Sequence, residues 1–303
     1  MKKILVLGSI NMDLVTKVKI TPNVGETVFG DGLVQIPGGK GANQAVAIGR
    51  LGGNIKMIGK IGKDEYGKKL IENLKKNNVD TKYITESQEK STGIAFIMVN
   101  EDGDNSIVVI PGANYDIKPE DIKEEMFENI DYVLAQLEVP METINKAFEI
   151  AKKKGIYTIL NPAPAKVLDQ KIIKNTDLII PNETEFKTIT GYRPNDIEIE
   201  KGINELFEKG INAILITLGK NGVKYIDKNK NEYKVKAYKV NAIDTTAAGD
   251  SFIGGFITAL SEGKNLEDAI ENGVKVAAIT VTKFGAQSSL PTKNELLNFK
   301  GVK

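Results

Sequence analysis

The stretch 131-DYVLAQLEVPMETINKAFEIAKKKGIYTIL-160 decides the fold class. Asp131 to Leu137 reads as a short apolar strand, Glu142 to Lys154 as a helix, and Ile156 to Leu160 as a second strand. Glu142 at the helix start and Lys152-Lys153-Lys154 at its end suit the helix dipole, so the lysine run reads as a solvated helix end. The same alternation extends outward. Toward the N-terminus it gives a strand at Lys3 to Leu7, a helix at Ala42 to Leu51, a strand at Asn54 to Ile61 and a helix at Asp64 to Lys76. Toward the C-terminus it gives a strand at Leu178 to Ile180, a helix at Glu183 to Thr190 and a strand at Ala213 to Thr217. Helices then follow at Gly249 to Glu262, Leu266 to Lys283 and Lys293 to Phe299. Strands alternating with helices predict an α/β fold: a doubly wound, mostly parallel sheet flanked by helices on both faces.

Two stretches break this rhythm. Residues 13–36 and 92–110 carry alternating or β-branched residues, with turn signals such as Asn100-Glu101-Asp102-Gly103, and no helix. They read as hairpin strands outside the main sheet, forming a small β-lid over its edge. The whole is expected to be one α/β domain covering residues 1–303.

Composition narrows the chemistry. The chain has 303 residues, 41% hydrophobic and 27% charged, which suits a globular protein with a large core. Lys and Arg total 41 against 40 Asp and Glu, so a net charge of +1 gives no pull toward nucleic acid or an anionic membrane. Neither Cys nor His occurs. Thiol nucleophiles, disulfides, Ser-His-Asp triads and zinc sites of imidazole or thiolate are therefore excluded. Acid–base work falls to Asp, Glu, Lys, Tyr or a metal-bound water. The absence of Trp removes indole stacking platforms. Lys2-Lys3 precedes an apolar run, Ile4 to Leu7, that Gly8 ends too soon for a secretory signal. No run approaches the ~20 apolar residues of a membrane span, and a cytoplasmic protein is expected.

Six short constellations could carry chemistry, and each has an ordinary structural explanation beside it. Gly38-Gly39-Lys40-Gly41-Ala42-Asn43-Gln44 precedes a helix; it matches neither a Walker A loop nor a dinucleotide fingerprint and could be a tight turn. Asp244-Thr245-Thr246-Ala247-Ala248-Gly249-Asp250-Ser251-Phe252 opens an apolar helix whose free N–H groups suit an anion. Asp250 there could instead merely complement the dipole. Asn182-Glu183-Thr184-Glu185 has the form of a capping box, yet it follows a parallel strand, where open α/β sheets bind ligands. In Gly8-Ser9-Ile10-Asn11-Met12-Asp13, Asn11 and Asp13 project to the same side of an extended chain and suit sugar hydroxyls, or they are turn residues. Glu138 stands at the mouth of a strand. Thr217-Leu218-Gly219-Lys220-Asn221-Gly222 could approach a nucleotide or be a hairpin turn. Most of these follow strands and so gather at one end of the sheet, which points to one crevice binding a polyol and a phosphate donor.

Gly38 to Asn43, Asn182 to Glu185 and Asp244 to Asp250 resemble the signatures of the phosphofructokinase-B / ribokinase family of carbohydrate kinases. The resemblance continues through Leu7 to Asn11, Asn161-Pro162-Ala163-Pro164-Ala165, Ile216 to Gly219 and Gly285-Ala286-Gln287, in order over nearly the whole chain. The commoner pattern has Gly where this chain has Ala247, a departure shared by members acting on ribose. The resemblance implies ATP-dependent phosphorylation of D-ribose at O5. Asn11, Asp13, Gly39, Lys40, Asn43 and Glu138 would hold the sugar, with Asp250 the base and Ala247, Ala248 and Gly249 N–H groups the anion hole. Asn182 and Glu185 would organise phosphate and the Mg²⁺ hydration shell, and Thr217, Leu218, Gly219, Lys220, Asn221 and Gly222 would line the ATP site. Asp244, Thr246, Thr280, Lys283, Gly285 and Ser289 would hold K⁺, largely through backbone carbonyls. The β-lid would double as a homodimer interface. A kinase of the same family acting on fructose, a deoxy sugar or a nucleoside is the nearest alternative. A sugar-binding regulator on the same scaffold would have no need of Asp250, Asn182 and Glu185.

Overall fold

Strand β1 (Lys3–Leu7) shows how the sheet is buried. Successive residues of a strand face opposite sides, so a run that is apolar throughout feeds two cores. Ile4 and Val6 enter one core and Leu5 and Leu7 the other. The computed structural model describes residues 1–193 and 198–303. In chain order the remaining strands are β2 (Asn11–Lys17), β3 (Val34–Gly38), β4 (Asn54–Gly62), β5 (Asp80–Ser87), β6 (Gly93–Val99), β7 (Asn105–Ile110), β8 (Tyr132–Gln136), β9 (Tyr157–Asn161), β10 (Leu178–Ile179), β11 (Ala213–Thr217), β12 (Val223–Asp227) and β13 (Glu232–Val235). The helices are α1 (Lys40–Arg50), α2 (Glu65–Lys76), α3 (Met141–Lys153), α4 (Gln170–Lys174), α5 (Glu183–Thr190), α6 (Ile199–Lys209), α7 (Ala248–Ser261), α8 (Leu266–Thr280) and α9 (Lys293–Leu297).

The main sheet has nine strands in the order β13-β12-β11-β10-β9-β8-β1-β4-β5. From β11 to β5 every neighbouring pair is parallel; β12 and β13 add an antiparallel edge. Helices α1, α7 and α8 contribute Val46, Ile48, Phe252, Phe256 and Ile270 to one core. Helices α3 to α6 contribute Phe148, Ile172, Phe186 and Leu206 to the other. The predicted doubly wound α/β fold is therefore present. Strand order runs from β1 through β4 to one edge and from β8 through β11 to the other. It reverses between β1 and β8, and open α/β sheets bind ligands beyond the strand ends at such a reversal.

The two helix-free excursions form a second sheet, in the order β3-β2-β6-β7. Each contributes an antiparallel pair, as expected of hairpin strands, and the two pairs are joined by parallel pairing of β2 with β6, from Asn11 opposite Gly93 to Lys17 opposite Val99. Strand β2 begins at Asn11, two residues before the expected excursion, so this sheet springs directly from the mouth of β1. Its outer strand leaves Ile107, Val108, Val109 and Ile110 exposed. Among the described residues no helix is long and apolar enough to cross a membrane.

Several elements differ from the sequence-based expectation. Strand β5 alternates polar residues at a sheet edge, and β12 and β13 form an edge hairpin, so neither carries the apolar run of a central strand. Helix α6 buries Ile199, Ile203 and Leu206 on one face, a helical spacing that the sequence analysis leaves unassigned. Helix α8 stops at Thr280 rather than Lys283, because the Val281 carbonyl accepts the Ile243 and Asp244 N–H groups at 2.7 and 3.2 Å instead of continuing the helix.

Helix α1 starts in contact with the mouth of β1. The Ala42 N–H donates to the Ser9 carbonyl at 2.9 Å, and a Cβ on Gly41 would lie 2.6 Å from the backbone of Gly8 and Ser9. Backbone cannot yield as a flexible side chain can, so Gly41→Ala is expected to destabilise the fold by about 1–3 kcal/mol. The readout is a lower urea midpoint at unchanged slope; a wild-type midpoint contradicts the close approach.

Candidate active site

Asp250 is the third residue of α7 and only 7% exposed. A buried carboxylate needs donors, and helix α1 supplies two. Asn43 Nδ2 donates to Asp250 Oδ2 at 3.0 Å and Gln44 Nε2 to Asp250 Oδ1 at 2.8 Å. The residue before the helix, Ala247, has left-handed φ and ψ of 59° and 12°, which turns the chain into the first helical turn. The Ala248 N–H donates to the Thr245 carbonyl at 3.2 Å. Among the described residues, the Ala247 and Gly249 N–H groups have no acceptor, as expected of a helix start.

Two cavities meet at this turn. One, of about 200 Å³, is lined by Lys40, Asn161, Asn182, Glu185, Thr245, Asp250 and the turn from Ala247 to Gly249. The other, of about 560 Å³, is walled by Gly219, Lys220, Gly222, Tyr238, Val240, Phe252 and Val281. They share Asn182, Thr217, Thr245, Ala248 and Gly249. The Thr217 to Gly222 segment is indeed the turn between antiparallel β11 and β12, and it also borders the larger cavity. Leu218 packs instead against the core, and Asn221 is exposed; neither lines either of these two cavities. A Cβ on Gly222, at φ 90°, would meet the Val235 carbonyl at 2.0 Å, so this turn requires glycine.

The polar residues expected around a sugar lie beside the smaller cavity, although Asn11, Asp13, Gly39, Asn43 and Glu138 do not line it. Asn11 Oδ1 accepts from Asn114 Nδ2 at 2.7 Å. Glu138 Oε2 accepts from Ser9 Oγ at 2.5 Å and from the Lys40 N–H at 3.0 Å, so one of its oxygens pins the start of α1 to the mouth of β1. Gly39 has φ 88°, and its missing Cβ would lie 2.9 Å from the Asn11 nitrogen and the Ser9 carbonyl. Asn43 Oδ1 is buried with no partner among the described residues, which leaves an acceptor for a ligand hydroxyl.

Lys40 unites the charges. Asp250 holds its ammonium above the ordinary range; burial opposes this, and Glu138, Glu185 and Asp13 add to it. Burial pushes Asp13 up to about 7, with the Glu138 and Asp250 charges adding to the rise and Lys40 opposing it. Burial also raises Glu185, against the Asn182 N–H and the Lys40 charge. The capping box is present: the Asn182 N–H donates to Glu185 Oε2 at 2.8 Å, and the Glu185 N–H to Asn182 Oδ1 at 2.8 Å.

The residues expected at a monovalent cation gather behind the turn. Burial raises the Asp244 carboxyl, but hydrogen bonds from Thr246 and Gly285 outweigh it and hold the group below its ordinary range. The Thr246 N–H donates to Oδ1 and the Gly285 N–H to Oδ2, both at 2.8 Å. The Lys283 N–H donates to the Thr280 carbonyl at 3.1 Å, while its ammonium pairs with Glu295. Ser289 is fully buried and donates to the Ala286 carbonyl at 2.7 Å. This donor set is oxygen only, the chemistry a hard cation takes. Among the described residues no three carboxylates are clustered to cage a metal. Glu185, which lines the smaller cavity together with Asp250, suits a Mg²⁺ that arrives on nucleotide phosphates.

Sequence reasoning missed the polar groups that support the site. Gln136 and Asn114 stood in no motif, and Gln44, Ser9 and Asn161 appeared only within motifs, with no role of their own. Gln136 does leave a trace, as a polar residue closing the otherwise apolar strand β8.

A doubly wound sheet whose crevice joins a buried carboxylate, a helix N-terminus and a second, larger cavity defines a small-molecule enzyme of the α/β class. Residues 1–293 match the pfkB family carbohydrate kinase model. The chain belongs to this family. It is 44% identical to a ribokinase of Staphylococcus aureus over 97% of this chain and 98% of that one. It is 39% identical to a deoxyribokinase of Salmonella typhi over 95% of each. Its fold superposes on the structure of Arabidopsis thaliana ribokinase complexed with ribose and ATP with a TM-score of 0.92, at 28% identity, covering 99% and 100% of the two chains.

The Asp13 environment is testable without substrate. Its folded value of about 7 lies above the ordinary 3.8, so the folded chain holds an extra proton between those values, and this group's contribution to stability falls as pH rises across that window. A carboxyl-carbon NMR titration is expected to show an inflection near 7 that Asp13→Asn removes and Glu138→Gln lowers. An Asp13 titrating near 4 contradicts the crowded-carboxylate picture.

Proposed function

We propose that this chain transfers the γ-phosphoryl group of Mg·ATP to O5 of D-ribose, giving ribose 5-phosphate, with Asp250 as the base. One observation carries this reading: Asp250 and the turn from Ala247 to Gly249 line a cavity of about 200 Å³ that shares a wall with one of about 560 Å³. The ribokinase relatives and the ribokinase structure bearing ribose and ATP support the choice of sugar and nucleotide.

The sugar lies in the smaller cavity and beside it. Asn11 Nδ2, the Asp13 carboxyl, Gly39, Lys40, the Asn43 Oδ1 and the second oxygen of Glu138 bind its hydroxyls. The nucleotide occupies the larger cavity along Thr217, Gly219, Lys220 and Gly222, with its phosphates directed at the turn. The Ala247 and Gly249 N–H groups meet charge on the transferring phosphoryl, and a helix N-terminus needs no reorganisation to do so. Asn182 and Glu185 orient the phosphates and their hydrated Mg²⁺, which supplies charge neutralisation. A carboxylate is too weak a base to deprotonate an alcohol in advance. The transition state of phosphoryl transfer is loose and demands little nucleophile charge early. Asp250 therefore aims the hydroxyl in line and accepts its proton late.

Asp244, Thr246, Thr280, Lys283, Gly285 and Ser289 would hold K⁺, largely through backbone carbonyls, and so fix the loop that leads into the anion hole. The second sheet covers the crevice and excludes water from the γ-phosphate. Its exposed Ile107, Val108, Val109 and Ile110 form the homodimer interface, within one α/β domain in the cytoplasm.

In a coupled assay with saturating Mg·ATP, ribose is expected to give the highest kcat/KM among ribose, 2-deoxyribose, fructose and nucleosides. A higher value for 2-deoxyribose overturns the sugar assignment. Asp250→Asn is expected to lower kcat by roughly 10²–10⁴-fold with sugar binding retained; a rate within a few-fold of wild type removes Asp250 from the base role. Turnover is expected to be higher in K⁺ than in tetramethylammonium at matched ionic strength, and equal rates contradict the cation site.

A further inference from the structure

Gln44 is fully buried in the middle of α1, where a polar side chain has no solvent to satisfy it. All of its hydrogen-bonding groups are engaged. Its Nε2 donates to Asp250 Oδ1 at 2.8 Å and to Asn161 Oδ1 at 3.1 Å, and its Oε1 accepts from Gln136 Nε2 at 2.6 Å. Asn161 Nδ2 in turn donates to the Ile180 carbonyl at 3.0 Å. The ends of β8, β9 and β10 are thereby tied through one amide to the carboxylate on α7. The polarity of this chain is dictated from the Asp250 end. A carboxylate only accepts, so the Gln44 amide nitrogen must face it and the Gln44 oxygen must face Gln136, which must donate. The deficit falls at the far end: Gln136 Oε1 is buried with no partner among the described residues, packed against Gly8, where a Cβ would lie 2.2 Å from it. An apolar residue at position 44 would leave Asp250 Oδ1 short of a donor. The network bears an unsatisfied acceptor elsewhere in order to keep that one paired.

We propose that Gln44 is a positioning residue for phosphoryl transfer: it fixes the plane of the Asp250 carboxylate so that the lone pair Oδ2 keeps beside its bond from Asn43 meets the acceptor hydroxyl. This rests on the reading of Asp250 as the base. Gln44 touches neither cavity, so its effect on the reaction passes through its partners Asp250 and Asn161, which line the smaller one, and of these only Asp250 is charged. The charged groups coupled to Asp250 are Lys40, Asp13 and Glu185.

The test is a double-mutant cycle on kcat using Gln44→Leu, Asp250→Asn and the pair, with KM and thermal unfolding recorded for each. Gln44→Leu is expected to lower kcat by roughly 10–100-fold, since a small misplacement of a reacting group costs that much, while KM for the sugar changes less than threefold. The double variant is expected to be no slower than Asp250→Asn alone, because the carboxylate that Gln44 holds is already gone. Multiplying losses, or Gln44→Leu at wild-type kcat, overturn the proposal. Gln44→Glu, nearly isosteric, guards against a packing defect in the leucine variant. It sets a second acidic group against Asp250 and is expected to move the acid limb of the kcat–pH profile upward; an unmoved limb overturns the proposal. If Asp250→Asn alone stays near the wild-type rate, the base assignment has failed, and the role of Gln44 falls with it. If another sugar proves the better substrate, the cycle is run on that sugar and its outcome stands.

Discussion

The arrangement depends on one contact, that of the buried Asp250 carboxylate with two amides of α1. Asn43 and Gln44 are consecutive residues of a helix that follows the glycine turn after β3, and Asp250 lies more than 200 positions along the chain at the start of α7. The two helices pack on the same face of the sheet, sharing a core of Ala47, Ile48, Phe252 and Ile253. That packing is close because Gly254 has no side chain; a Cβ there would lie 2.4 Å from that of Ala47. Apolar burial sets the distance between the helices, and the amides then fix the carboxylate. The N–H groups at the start of α7 are brought to the crevice by the same contact.

The glycines around residues 38–41 serve the same geometry from the other side. The Gly38 backbone passes so near the Asp13 carboxylate that a Cβ would overlap it at 2.1 Å. Gly41 lies against Gly8, and Gly39 against Ser9 and Asn11. The mouth of β1, the first residues of β2 and the start of α1 therefore converge in a space that side chains would otherwise fill. Polar groups from three separate segments become neighbours, and a lysine at the helix start comes under the influence of four carboxylates. Burial in this space, with the Glu138 and Asp250 charges adding to it, is the physical origin of the raised Asp13 value. The crowding of polar groups is also what makes the crevice suited to a ligand rich in hydroxyls.

Much of this was legible in the sequence because core strands and helix starts leave local marks. Helix α5 and strand β11 have the bounds read from Asn182, Pro181 and the apolar run before Thr217. The N-terminal turn of α7 was visible as small residues before an apolar stretch. The parallel joining of β2 with β6 was not, since it pairs segments about 80 residues apart and nothing local encodes it. Edge strands β5, β12 and β13 were missed because their solvent-facing residues dilute the apolar signal. Gln44 and Gln136 were passed over for a different reason. A buried amide inside a helix or at a strand end is conspicuous only once its partner is known, and here the partner is a distant aspartate.

The most direct test is a crystal structure of the chain with ribose, ADP, Mg²⁺ and aluminium fluoride, the last a mimic of the phosphoryl group in flight. The account predicts the fluoride at the start of α7, within hydrogen-bond reach of the Ala247 and Gly249 N–H groups, with ribose O5 between it and Oδ2 of Asp250. Aluminium fluoride bound away from those amides, or a sugar whose O5 does not reach Asp250, would contradict it.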